Sequence, residues 1–346
     1  MKKFSEEDID LLATLTELPG PVGREEHVQN FLKNFLEKIG FQICIDGIGN
    51  LTAELGGTGE ELIITAHADE IGYIISDIKE NGIIKIHYNT GAPRPDTRFL
   101  PGKDVIVLGE KNTIEGIIGF LSGHIAGIDD KKKINNIYKM FVDTGLTKMQ
   151  LEEEGVHVGT PVLLESDFKI LGENVKAKAL DDRVGLFLML QLAKELSSKP
   201  ADKRRPLMLV STVQEEIGVK GAIAVAKTKS APVIALDVGP AGGYPDADNK
   251  TPVRLGGGPV VVYKDFMIHY SYPLIQEIEK NARESGLPFQ RAVYKNYGSD
   301  GVAFITEGMK TALIAVPTKY THSPVEMVNL ADIGMTLDLL ISLATK

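Results

Sequence analysis

Eight residues of the 346-residue chain have side chains that can bind cations or move protons, and they share a setting. His67 follows the apolar run ELIITA, within AHADEIG, and Asp69 stands two places on. Glu215 and Glu216 follow LMLVSTV, within QEEIG; Asp237 closes VIAL, within ALDVG; His322 follows TALIAVP, within YTHSP. Asp181 and Asp182, within ALDDRVG, stand just before a long apolar run. Imidazole and carboxylate donors without a thiolate suit zinc, cobalt or manganese. A carboxylate not used as a ligand can serve as a general base. Taken singly, each residue has an ordinary reading. A histidine after a strand is mostly structural, an acidic pair is mostly a solvated turn, and an aspartate after a strand commonly caps a helix. Together they place charge beside the core at several strand ends, which is costly unless the charge is paired or metal-bound.

The elements that must position these residues follow from periodicity. Residues 5–38 read as helices, with Val28, Phe31, Leu32, Phe35 and Leu36 at helical spacing. From about Gly72 to Glu165 the chain is β-rich: GYIISDI, GIIKIHY, DVIVLG, TIEGIIGF and TPVLLES are short β-branched runs separated by Gly, Asn and Pro. The polar stretch DDKKKINNIYK and a short helix near Met149–Glu154 lie between the last two. After Lys176, strands alternate with helices: VGLFLMLQLAKEL, LMLVSTV, VIALDV, Tyr272–Glu284, TALIAVP and Ile333–Leu343. This predicts an α/β domain formed by residues 1–71 and 166–346, with a β-rich insertion over 72–165. Open α/β sheets bind ligands outside the carboxyl ends of their strands. The strand-end acids and histidines are therefore expected at one rim.

Composition narrows the function. With 47 Asp and Glu against 38 Lys and Arg, a net charge of -9, the chain is a poor general binder of nucleic acid. The single Cys44 excludes a disulfide framework and a multi-cysteine metal site within the chain. No uncharged apolar run approaches a membrane span, and MKKFSEEDID lacks a signal-peptide core, so a soluble cytoplasmic protein is expected. GGGP at Gly256–Pro259 has no following Lys-Ser/Thr and is not a phosphate loop. Among the other histidines, His27, His87, His157 and His269 read as ordinary, and His124 sits in a glycine-rich loop that can present it to a site.

In this order and spacing, AHADEIG, ALDDRVG, QEEIG, ALDVG and THSP resemble the tetrahedral (TET-type) metallo-aminopeptidases, with their glutamyl aminopeptidase, FrvX and endoglucanase-labelled relatives. The likeness covers nearly the whole chain and includes DGIGNL, GIIG…H and GVHVGTPV. It implies a mixed-sheet α/β/α metallopeptidase domain carrying a PDZ-like dimerisation domain, assembled as dimers into a tetrahedral dodecamer. It implies two divalent metal ions per subunit, with zinc first and cobalt or manganese as alternatives. His67, Asp181, Glu216, Asp237 and His322 match the metal ligands, Asp181 the bridging one. His67 and Glu216 would hold one ion, Asp237 and His322 the other. Glu215 matches the general base acting on a metal-bridged water, and Asp69 the acid that orients His67. A cis peptide between Asp181 and Asp182 is implied too. The expected reaction is removal of N-terminal residues from peptides.

Two rivals stand beside that reading. A glycoside hydrolase would use two carboxylates without these histidines, and sugars commonly stack on aromatic rings, yet the chain has no Trp. A non-catalytic metal-binding scaffold should have lost a ligand or the base, and none is missing. For an acidic first substrate residue, Arg254, Lys264, Arg291 and Lys295 are candidate pocket walls; YGSDG (297–301) resembles a segment near the family's substrate pocket.

Overall fold

The computed structural model describes every residue except 1, 92–93, 126, 128–136, 248–249 and 346, so most of DDKKKINNIYK lies outside the described residues. The chain begins with helices α1 (Glu6–Glu17) and α2 (Glu26–Lys38), as the spacing predicts. Ser5 caps α1 in a reciprocal capping box with Asp8, satisfying two otherwise orphaned amides. Strands β1 (Gln42–Ile45), β2 (Leu51–Leu55) and β3 (Leu62–His67) follow.

After β3 the chain leaves the sheet and builds a closed six-stranded barrel in the order β4-β5-β8-β7-β6-β9. Its strands are β4 (Gly72–Ile78), β5 (Ile84–Tyr88), β6 (Asp104–Leu108), β7 (Thr113–Gly119), β8 (Phe141–Asp143) and β9 (Pro161–Leu164), with helix α3 (Lys148–Glu153) between the last two. Tyr73, Ile75, Ile84, Ile86, Val105, Val107, Val142 and Val162 fill a core of its own. Alternating burial along the strands turns these side chains inward, and closure leaves no free sheet edge.

The chain then returns through β10 (Lys169–Leu171) and β11 (Asn174–Ala177) to α4 (Leu180–Ser197) and β12 (Leu207–Thr212). Next come α5 (Lys220–Ala226), β13 (Val233–Pro240), β14 (Val260–Lys264) and α6 (Tyr272–Glu284). The last elements are β15 (Gln290–Val293), α7 (Gly301–Thr306), β16 (Thr311–Lys319), β17 (Glu326–Asn329) and α8 (Leu330–Ala344).

One mixed sheet runs β1-β2-β12-β3-β13-β16-β17-β11-β10, with β14 and β15 attached through β16. Its centre, β12-β3-β13-β16, is parallel. Strands buried on both faces read as continuous apolar runs, which is why ELIITA and VIAL show no alternation. Within β3, Leu62 and Ile64 pack into the larger core, while Ile63 packs on the opposite side with Met208, Val225 and Phe304. Helix α4 is apolar nearly all round and correspondingly buried, packed between the sheet, α1 and α8. Helices α5 and α7 cover the other face. Among the described residues no helix is long and apolar enough to cross a membrane.

Candidate metal centre

The carboxyl ends of β3, β12, β13 and β16 open on one rim. His67, Asp181, Glu215, Glu216, Asp237 and His322 line a single cavity there of about 690 Å³. Parallel pairing sets this up: Thr212 at the end of β12 stands beside His67, and Asp237 on β13 beside Ala315 of β16.

Asp181 occupies the middle. Its Oδ1 lies 3.0 Å from His67 Nε2 and its Oδ2 3.2 Å from His322 Nε2. His322 Nε2 is also 3.2 Å from Glu216 Oε1. His67, Asp181 and Glu216 each offer a ligand atom within 4.8 Å of the others. Asp237 is buried, accepts a hydrogen bond from the Val238 amide, and has Asp181, Asp182 and His67 as its charged neighbours.

The Asp181–Asp182 peptide is cis, as the resemblance implies. Asp182 turns away from the cavity, where its carboxylate accepts from the His67 amide (3.3 Å) and the Gly185 amide (3.0 Å). A Cβ on Gly185 would stand 2.5 Å from those oxygens, so glycine is required there. Asp69 has a wider role than the sequence suggests. Its backbone oxygen is the nearer partner of His67 Nδ1 at 3.2 Å, its carboxylate lying at 3.6 Å. That carboxylate accepts the Glu215 and Glu216 amides, both at 2.9 Å. The left-handed region is taken up by Ala179, Gln214, Val219 and His322, all non-glycine and all beside site residues. Such conformations persist where surrounding structure enforces them, commonly at functional sites.

Three further residues meet here; Glu326 and Arg94 had no sequence signal that singled them out, and Asp300 belongs to YGSDG. Glu326 accepts the Asp181 amide at 2.9 Å and the His322 amide at 3.1 Å, so one carboxylate holds the backbones of both. Asp300 accepts from the hydroxyls of Thr65 and Thr212. Arg94, from the loop between β5 and β6, reaches Glu216 Oε2 at 3.3 Å. The expected basic walls lie elsewhere: the lining residues do not include Arg254, Lys264, Arg291 or Lys295. Arg254 instead binds the carbonyls of Thr251 and Val253, and Arg291 pairs with Glu279. Tyr297 of YGSDG does line the cavity; its buried hydroxyl makes no well-formed hydrogen bond and has Asp237 as its main charged neighbour. His124 is exposed on the barrel side of the chain.

The electrostatics follow from burying these groups together. Burial pushes the carboxyls of Glu215 and Asp237 well above the usual range, and neighbouring carboxylates push them further. Burial and the Asp181 charge raise Glu326 to about 8. Burial opposes the imidazolium form of His67 and His322, yet contacts with Asp181, with Asp69 for His67 and with Glu216 for His322, raise both well above their ordinary value. Burial likewise works against the Asp181 carboxylate, and the two histidines outweigh it and lower its pKa. The cluster thus gathers buried negative charge around two imidazoles. Imidazole and carboxylate donors around a negative, buried centre fit divalent cations.

The two amide contacts of Glu326 lead to an expected result. Glu326→Gln replaces one acceptor oxygen by an NH2 group that faces a backbone amide. Metal affinity, measured by competition with a chromophoric chelator, should fall roughly 10- to 100-fold. Unchanged affinity would remove Glu326 from the support of the site.

The model of the M42 glutamyl aminopeptidase family matches residues 49–339. The lysyl aminopeptidase of Pyrococcus furiosus is 29% identical over 341 residues, covering 96% of this chain and 95% of its own. The TET aminopeptidase structure from a marine-sediment archaeon of the Thaumarchaeota superposes with a TM-score of 0.93 at 28% identity, covering 99% of this chain and 96% of that one. The Pyrococcus horikoshii TET1 peptidase, described as assembling into a tetrahedron or a large octahedral shell, superposes at 0.88 with 30% identity, covering 97% and 99%.

Proposed function

Because the chain belongs to the M42 glutamyl aminopeptidase family and is a metal-dependent aminopeptidase, we propose that two divalent cations are held by His67, Asp181, Glu216, Asp237 and His322, with Asp181 shared. The observation that carries this reading is Asp181 itself, whose two oxygens each face a different histidine. The contacts favour a division other than the one the resemblance implied. His322 touches Glu216, while Asp237 has His67 among its charged neighbours, so we group His322 with Glu216 and Asp237 with His67. Zinc is the first choice for this donor set, with cobalt and manganese compatible.

When bound, the cations would polarise the scissile carbonyl and acidify the attacking water. The chain's own groups supply the rest. Glu215 lines the cavity and is held by its backbone to Asp69. Its raised pKa suits a carboxyl that takes a proton from water and returns it to the leaving amine. The carboxylates that line the cavity would receive the substrate's free α-amino group, which would restrict attack to the N-terminal residue. Tyr297 and Asn296 also line the cavity.

We further read residues 72–165 as an inserted dimerisation unit, PDZ-like by resemblance, and 1–71 with 166–346 as the catalytic unit. Exposed Ile117, Phe120, Leu121 and Ile125 on the barrel side support an assembly surface there. Assembly as a homo-oligomer, with a tetrahedral dodecamer built from dimers, and a cytoplasmic location complete the reading. The glycoside-hydrolase alternative finds no support in the family match.

The test is hydrolysis of aminoacyl anilides by the full chain before and after chelation. Activity should vanish with the metal and return on adding zinc, cobalt or manganese. Chelator-resistant hydrolysis would overturn the proposal.

A further inference from the structure

The family includes glutamyl and lysyl aminopeptidases, so membership alone leaves the preferred first residue undecided. The cavity's own walls carry the decision, an inference that rests on the aminopeptidase reading above. Helix α7 starts at the metal-site rim. Asp300, just before it, accepts from Thr65 on the β3 strand that ends in His67, and from Thr212 at the end of β12. From that start, Val302, Ala303, Thr306 and Glu307 line the cavity. They are two pairs at i, i+4 spacing and therefore share one helix face. Ile217, Val219 and Ile223, at and before α5, also line it. Ile217 is 40% and Ile223 36% exposed, which is apolar surface available to an occupant.

The crevice between α5 and α7 therefore begins with apolar walls at the rim and ends on Thr306 and Glu307. From Val302 to Glu307 the helix rises about 7.5 Å, comparable to the extended four-carbon stem of lysine. Glu307 is exposed and makes no ion pair with a described residue. Arg94 is the only Lys or Arg among the described lining residues, and its guanidinium lies at the cation site, 3.3 Å from Glu216 and 3.5 Å from His322, away from Thr306 and Glu307 at the end of α7. A free carboxylate at the far end favours a positively charged tip over a negative one.

We infer that the substrate's first side chain lies along α7 and that Glu307 selects a basic N-terminal residue, lysine or arginine. The apolar stem packs on Ile223, Val302 and Ala303, and the terminal cation reaches Glu307 and Thr306. Glu307 is thus a specificity-determining residue, remote from the reacting bond.

The experiment measures kcat/KM of the metal-reconstituted full chain on Lys, Arg, Leu, Met and Glu anilides, for the native protein, Glu307→Gln and Glu307→Lys. The native enzyme should prefer Lys and Arg. Glu307→Gln should lower kcat/KM on Lys anilide about five-fold, mainly through KM, while leaving Leu anilide within about two-fold. Glu307→Lys should raise activity on Glu anilide. Preference for Leu or Glu in the native enzyme, or an equal effect of Glu307→Gln on Lys and Leu, would overturn the inference while leaving the aminopeptidase reading intact. Absence of turnover on every anilide by metal-loaded native protein would overturn that reading and the inference with it.

Discussion

Glu215→Gln should reduce kcat by roughly 10²- to 10⁴-fold while metal content stays unchanged. The substitution keeps the shape of the side chain and removes only its capacity to accept a proton. The backbone amide of Glu215 still donates to Asp69, so the neighbouring Glu216 stays in place. Burial among carboxylates raises the proton affinity of the Glu215 carboxyl, and an amide at that position cannot accept a proton in its place. Elemental analysis separates the two consequences. Full metal occupancy with lost turnover assigns Glu215 to proton transfer. Turnover within about ten-fold of native would remove that role.

Asp181→Asn should abolish activity by the other route, through loss of the metal. Its two oxygens are the only carboxylate that faces both histidines among the described residues. An amide presents one oxygen and one NH2 group, so at least one of those faces would meet a donor instead of an acceptor. We expect metal affinity to drop about 100-fold or more. A second readout is thermal unfolding. The native protein should be stabilised by about 3 kcal/mol at a metal concentration 100 times the dissociation constant, and the variant should gain little. Asp182→Asn is the informative companion, because Asp182 faces the His67 and Gly185 amides and not the cavity. Equal metal loss in both variants would argue that Asp181 acts through local folding rather than as a ligand.

How far the sequence was legible depended on where the information sits. The shared cavity rim could be read because His67, Glu215, Glu216, Asp237 and His322 all lie in or just beyond apolar strand runs, and parallel strands bring their carboxyl ends together. Helix Tyr272–Glu284 was recovered to the residue, because its amphipathic spacing coincides with its ends. Helix α8 began three residues earlier than the apolar spacing indicated, since Asn329 caps it through the Ala331 amide. Glu326 was invisible because its function is to accept two backbone amides, and amides leave no mark in a sequence. Arg94 was missed because its partner Glu216 is 122 positions away and the approach depends on how the barrel sits. The candidate basic walls failed for the complementary reason: Arg291 is taken by Glu279, a pairing that composition does not reveal.

The barrel is fastened to the rim by more than covalent continuity. The Gly91 amide donates to the Glu216 carbonyl at 2.8 Å, the Asp96 amide to the His322 carbonyl at 3.3 Å, and Arg94 lies against the Glu216 side chain between them. Two residues of the cavity, Glu216 and His322, are therefore held by a single loop of the barrel. A load applied to the barrel, such as packing against another subunit, would be borne at the backbone positions of two cavity-lining residues. Excising residues 72–165 to make a smaller enzyme would release that brace, and the truncated chain should bind metal with a looser, less selective arrangement.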